Sequence, residues 1–200
     1  MKLQQLFETQ ADMHSIVAEC SEFFSQTSSG LLFRGLSRPM YEPTRITPRA
    51  NRRPANTPAA WHDALDAAFE QKFGHRYRSS CIFAVSSVMK ARAYVSSSLA
   101  IALPVNGMQF CWSPVIDDLY EYMLRAMQSQ EANIPDENER LDYCVQQMIA
   151  TYQETDLQAG INAGHEIMIA TPVWILPEQK RNIRDCIPEV RTELQSFLRT

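Results

Sequence analysis

Apolar positions along this chain follow helical spacing in some stretches and short continuous runs in others. Residues 2–26 carry Leu3, Leu6, Met13, Ile16, Val17, Cys20 and Phe24 at intervals that predict a helix, which Gly30 ends. Leu31-Leu32-Phe33 predicts a short buried strand leading straight into Arg34-Gly35. Thr57-Pro58 supplies an N-cap and first-turn signal. Behind it Trp61, Leu65, Ala68, Phe69 and Phe73 make one stripe that stops at Gly74. Ser80–Val85 reads as a buried strand and Met89–Val95 as one or two helical turns. Leu99–Val105 and Met108–Trp112 read as strands around Asn106-Gly107, which predicts a hairpin. Pro114 is expected to open a helix bearing Val115, Leu119, Tyr122, Met123 and Met127. Beyond polar residues 128–138, Leu141, Val145, Met148, Ile149 and Tyr152 predict another. Glu166–Ala170 and Val173–Leu176 read as two short strands, and 178–199 as helical with an interruption at Pro188. Strands and helices mix without regular βαβ alternation, so the expected class is α+β.

A length of 200 residues fits a single domain. Its expected parts are an N-terminal helical segment (1–30), a core (31–176) and a C-terminal helical segment (177–200). Hydrophobic residues at 45% and charged residues at 21% are those of a globular chain and exclude wholesale disorder. A net charge of −4 leaves no global basic field to recruit nucleic acid or anionic membrane. The basic residues are nevertheless unevenly placed. Between Arg34 and Arg53 six arginines (34, 38, 45, 49, 52 and 53) face the single acid Glu42, a local charge of +5. Prolines 39, 43, 48, 54 and 58 make the same stretch irregular. A long basic loop of this kind is either a solvated face or a partner-facing segment.

The five cysteines are widely spaced, with no CxxC and no Cys/His cluster, which argues against a structural zinc or a disulfide framework. The N-terminal residues lack the apolar core of a signal peptide. The longest uncharged run, 93–116, is broken by serines, prolines and Asn106-Gly107, which a membrane span would not tolerate well. An intracellular, soluble protein is expected.

Three segments set polar residues where strands do not need them. Arg34 closes an apolar strand, poised to donate to a phosphate or carboxylate, with Gly35 allowing close backbone approach; a structural salt bridge is the alternative. Ser86 and Ser87 end the strand Phe83-Ala84-Val85 before a helix, where serines act as caps or as catalytic hydroxyls. Glu166 stands at the mouth of the buried run Ile167-Met168-Ile169, after Gly164-His165. A carboxylate there is either a solvated edge charge or a group desolvated enough to act on a developing cation.

In this order the segments resemble the arginine–serine–glutamate signature of the ADP-ribosyltransferase superfamily, with the nearest likeness to small Mod-type proteins of tailed bacteriophages. Phe33-Arg34-Gly35 is similar to the family's apolar-Arg-Gly strand, and Glu166-Ile167-Met168-Ile169 to its catalytic strand. A turn and a second strand follow at Pro172 to Leu176. Phe83-Ala84-Val85-Ser86-Ser87 resembles the serine motif with its first hydroxyl replaced by Val85. Gly164 stands where arginine-modifying members carry a second glutamate, which points away from arginine as acceptor.

The resemblance implies a mostly antiparallel split sheet around an NAD cleft, with flanking helices. It implies an NAD-dependent glycosyltransferase, phage-encoded, that modifies a host macromolecule. Catalysis would fall to Glu166, Arg34, Ser86 and Ser87. The NAD co-substrate would be held by Arg34, Gly35 and Ser86, with Tyr77 or Tyr94 stacking on nicotinamide, and no metal would be needed. The expected partner is a host protein acceptor in the host cytoplasm, with no membrane. Nucleic acid bound through the Arg38–Arg53 loop is one alternative acceptor. A catalytically inactive, virion-associated binding protein of the same fold is the other reading.

Overall fold

The structure, a computed structural model, describes residues 15–28, 30–53, 56–94, 98–128 and 134–177. The helical segments expected before residue 15 and over 178–199 lie outside these residues. The elements in chain order are α1 (Ser21–Gln26), β1 (Leu32–Leu36), β2 (Thr44–Ile46), α2 (Ala59–Phe73), β3 (Ile82–Val85), α3 (Val88–Ala93) and β4 (Ser98–Pro104). They continue with β5 (Phe110–Trp112), α4 (Leu119–Gln128), α5 (Glu137–Ala150), α6 (Leu157–Ala163), β6 (Glu166–Ile169) and β7 (Val173–Pro177).

Among the described residues, all strand pairs are antiparallel, in one seven-stranded sheet of order β2-β7-β4-β1-β3-β6-β5 with flanking helices. The α+β class expected from the sequence is the one observed. The pairing is uneven across the sheet. Strand β1 pairs with β4 from Leu32↔Ala102 to Leu36↔Ser98, but meets β3 only at Phe33↔Val85. Two well-paired groups of strands therefore join at a narrow seam.

On the β3-β6-β5 side, both faces of the sheet are covered. Ile82, Ala84, Ile167 and Ile169 pack into one core with Phe23, Leu157 and Ile161 from α1 and α6. Cys81, Cys111 and Met168 alternate to the other face, into a second core with Leu65 and Phe69 of α2, Leu119 and Met123 of α4, and Val145 and Met148 of α5. A strand buried on both faces needs no polar alternation, which is why these segments read as continuous apolar runs.

Local signals set the helix boundaries. Gly74, at φ 72, closes α2 in the left-handed region and donates its N–H to the Glu70 carbonyl. Asp136 caps α5 by accepting from the Asn138 and Glu139 N–H groups. Thr57 does not cap α2; its hydroxyl accepts instead from Arg78 Nη2 at 3.4 Å. The helix expected from Pro114 starts later, at Leu119, because Asp118 accepts from the Glu121 N–H and Ser113 ties down the Val115 and Ile116 N–H groups. The stretch 35–58 is not wholly irregular, since Thr44–Ile46 pairs with Ile175–Val173 as an edge strand.

The hairpin expected at Asn106-Gly107 does not form. Strand β4 lies between β7 and β1, whereas β5 is the far edge beyond β6, so the chain crosses the sheet between them. Contacts with the α1 region decide this. Asn106 Oδ1 accepts from the Glu22 N–H at 2.9 Å, its Nδ2 donates to the Ala18 carbonyl at 3.0 Å, and its own N–H donates to the Glu19 carbonyl at 2.7 Å. Glu22 returns a carboxylate oxygen to the Gly107 N–H at 2.6 Å. Asn106→Ala removes the side-chain half of this network and is expected to destabilise by about 1–2 kcal/mol. A shifted urea midpoint with an unchanged m-value would show it.

Candidate active site at the sheet seam

Strand register brings the three sequence motifs to one level. Phe33 of β1 faces Val85 of β3, and Val85 in turn faces Glu166 of β6. Arg34, Ser86 and Glu166 thus stand beside or within a single row of residues across the seam.

At Arg34 the strands diverge, and the side chain bridges them: Nη1 donates to the Phe83 carbonyl at 2.8 Å. The guanidinium satisfies a carbonyl that the missing β1–β3 ladder leaves open. Gly35 pairs through its backbone with Leu99 on the β4 side.

Ser87 is the N-cap of α3, its hydroxyl accepting from the Lys90 N–H at 3.3 Å. The Ser86 hydroxyl donates to the Ile161 carbonyl in α6. That bond ties the end of β3 to the short helix that delivers the chain to Glu166. Helix α6 had no clear apolar periodicity and was not expected. Asp156 caps it at the Ala159 N–H, and Gly160 fits against the Trp112 indole, where an added Cβ would lie 2.8 Å from Cδ2. It ends at Gly164, whose φ of 69 puts it in the left-handed region that favours glycine. The absence of a second carboxylate at that position therefore has a backbone reason.

Glu166 begins β6, with its N–H bonded to the Asp117 carbonyl at 2.9 Å. Its Oε1 is shielded from solvent and has no hydrogen-bond partner. Burial pushes the carboxyl up to about 7; Arg78 opposes this, Asp118 adds to it, and the Leu119 N–H and Arg52 oppose it further. Next to it, the His165 ring bonds through Nδ1 to the Ser113 carbonyl at 2.7 Å, the structural role such a histidine commonly has.

The two tyrosines part company. Tyr77 is fully buried, with its ring against Phe69, Phe73 and His75 and its hydroxyl donating to Glu154 Oε1 at 2.6 Å. It has no free face on which a nicotinamide could stack, and the sequence expectation is corrected on that ground. Tyr94, just beyond α3, is 57% exposed.

Two residues of the site were not among the NAD-binding candidates of the sequence. Arg52 falls within the basic stretch expected to face a partner, and Arg78 follows Tyr77 without any motif signal. Both guanidinium groups lie over the Phe83 ring, at 4.6 Å and 5.4 Å from its centroid. Most of the basic stretch faces solvent: Arg38, Arg45, Arg49, Arg52 and Arg53 are exposed. Arg45 pairs with Glu19 at 3.7 Å and Arg53 with Asp63 at 3.5 Å. Arg38 and Arg49 border an open cleft of about 370 Å³ with Leu36, Ser37 and Met40.

Among the described residues, no group of His, Cys, Asp or Glu side chains is placed to hold a metal ion, and no helix is long and apolar enough to cross a membrane. Among the described residues, Cys20, Cys81 and Cys111 are buried thiols outside any disulfide. Comparison with known protein families, with characterised proteins and with solved structures finds no match.

Proposed function

We propose that this chain is an NAD-dependent mono-ADP-ribosyltransferase, phage-encoded, that modifies a host macromolecule. The observation that carries the reading is that the strand register puts Glu166 in one row with Phe33 and Val85, the residues just before Arg34 and Ser86, so that all three motifs meet at the seam of the sheet. A split sheet would present its cleft at such a seam.

In the proposed reaction the bond between the ribose C1′ and the nicotinamide nitrogen breaks, and nicotinamide leaves with the bonding pair. The ribose passes through an oxocarbenium-like state, and a nucleophile of the acceptor then bonds to C1′ and loses its proton. Glu166, ionised and poorly hydrated, would oppose the positive charge with little reorganisation. Its Oε1 has no partner within the chain, so a ribose hydroxyl that reached it would be accepted without displacing an existing bond. Arg34 offers a planar fork suited to a diphosphate. Ser86, already bonded to Ile161, acts by holding the Glu166 segment.

The deciding experiment is incubation with NAD labelled in its ADP-ribose part and a bacterial lysate, with label read in protein and nucleic-acid fractions. Label in neither fraction, with no NAD hydrolysis, would transfer the reading to the inactive binding protein. Arg34→Lys keeps a cation but loses the fork, and is expected to weaken NAD binding about tenfold or more. Undiminished binding in calorimetry would remove Arg34 from the site.

The exposed Arg38 and Arg49 favour a second reading, in which the acceptor is nucleic acid. Acceptor binding would then weaken steeply with salt as phosphate counterions are displaced.

A further inference from the structure

Three guanidinium groups converge on one residue of β3. Arg34 holds the Phe83 carbonyl, while Arg52 and Arg78 lie over its ring. Among the described residues, no ion pair engages any of the three. Burial lowers the pKa of both Arg34 and Arg52, and a neighbouring guanidinium lowers each further, Arg52 acting on Arg34 and Arg78 on Arg52. Like charges gathered this closely are unfavourable unless they share an anion. The Glu166 carboxyl, which interacts with Arg52 and Arg78, is itself desolvated.

The cluster is built rather than incidental. Arg78 is 4% exposed, and its Nε is buried without a partner. Its position is set by the Arg78 and Ser79 N–H groups, which donate to Asp66 Oδ1 at 2.9 Å and 3.1 Å. Arg52 is placed by its N–H on the Ser79 carbonyl at 2.8 Å, directly after Asn51 at φ 59. Its guanidinium reaches the seam from the solvent side and has no hydrogen-bond partner among the described residues.

We propose that Arg52 and Arg78, together with Arg34, form a diphosphate-binding subsite at the β1–β3 seam, with Arg78 as its buried floor and Arg52 as its solvent-side arm. Guanidinium forks match phosphate oxygens in pairs, and a diphosphate brings enough charge to relieve the repulsion among them. Assignment of that diphosphate to NAD rests on the transferase reading.

Calorimetry with inorganic pyrophosphate, and separately with NAD, tests the subsite at fixed salt. Arg52→Ala is the variant, since an exposed side chain can be removed without unfolding the protein, and an unchanged unfolding midpoint confirms it. Arg53→Ala, exposed and paired with Asp63, is the control. Arg52→Ala is expected to weaken both ligands about tenfold or more, Arg52→Lys less, and Arg53→Ala to change neither. Pyrophosphate binding that Arg52→Ala weakens, in a protein that does not bind NAD, would support the subsite and remove the transferase reading. NAD binding that is equal in wild type and Arg52→Ala would overturn the subsite and leave that reading intact. Failure of the wild type to bind pyrophosphate, or equal weakening by Arg53→Ala, would also overturn the subsite.

Discussion

Glu166→Gln is expected to lower NAD turnover by about 10²–10³, the usual loss when one preorganised electrostatic group is removed from a transition state. Glutamine keeps the size and much of the hydrogen bonding, so the fold and NAD affinity should stay near wild type. On the proposed mechanism, what is lost is the charge that would oppose the ribosyl cation. Because burial pushes the Glu166 carboxyl up to about 7, wild-type turnover should rise as pH passes through that value. The glutamine variant should lack this limb. Initial rates of NAD hydrolysis or transfer at pH 5.5 and 8 would read both effects. Glu137→Gln, exposed on the first turn of α5, serves as the control.

The same substitution carries a stability effect of opposite sign. The carboxyl titrates near 7 in the folded chain against an ordinary value of 4.5, so between these values the folded state binds more protons. Stability from this group therefore falls as pH rises through that window, and the cost is fully present above about pH 7. Glutamine does not ionise. Above pH 7 the variant should be more stable than wild type by on the order of 1–3 kcal/mol, a difference that closes toward pH 4.5. Equal turnover in both proteins would discard the transferase mechanism. Equal stability at pH 8 would show that the carboxylate is better solvated or better paired than its surroundings imply.

Tyr77→Ala should cost about 3–5 kcal/mol of stability, the range for deleting a large buried aromatic side chain. The ring fills the space between Phe69, Phe73 and His75 in the α2–α5 core, and no neighbour can close so large a void without moving a helix. Tyr77→Phe isolates the hydroxyl. It removes the bond to Glu154 and should cost about 1–2 kcal/mol. Tyr94→Ala, at an exposed ring, should change stability by less than about 0.5 kcal/mol. Urea unfolding of the three variants separates a core tyrosine from one free to meet a ligand. A Tyr77→Ala protein of wild-type stability would mean that the ring is not packed as described.

Much of this architecture was legible one element at a time. The apolar runs at Ser80–Val85 and Glu166–Ala170 announced buried strands. The stripe from Trp61 to Phe73 announced α2, and Gly74 its end. The chain order of Arg34, Ser86 and Glu166 was visible too, because each motif is local. Ser87 even showed its capping role, since a hydroxyl before a helical turn meets its partner three residues away.

What remained hidden depends on which segments meet. Asn106-Gly107 has the local chemistry of a hairpin turn, yet bonds from Asn106 to Ala18, Glu19 and Glu22 send β5 to the opposite edge of the sheet. Thr44–Ile46 carries no alternation, being an edge strand defined only by its partner β7. Tyr77, a plausible stacking ring by residue type, became core because α2 and the strands close around it. Arg52 and Arg78 acquired their place at the seam through backbone bonds to Ser79 and Asp66 and through the Phe83 ring. Hydrophobic periodicity reports which face of one element seeks cover. The cover itself, the register, and the gathering of distant charges at a seam are long-range outcomes that packing alone decides.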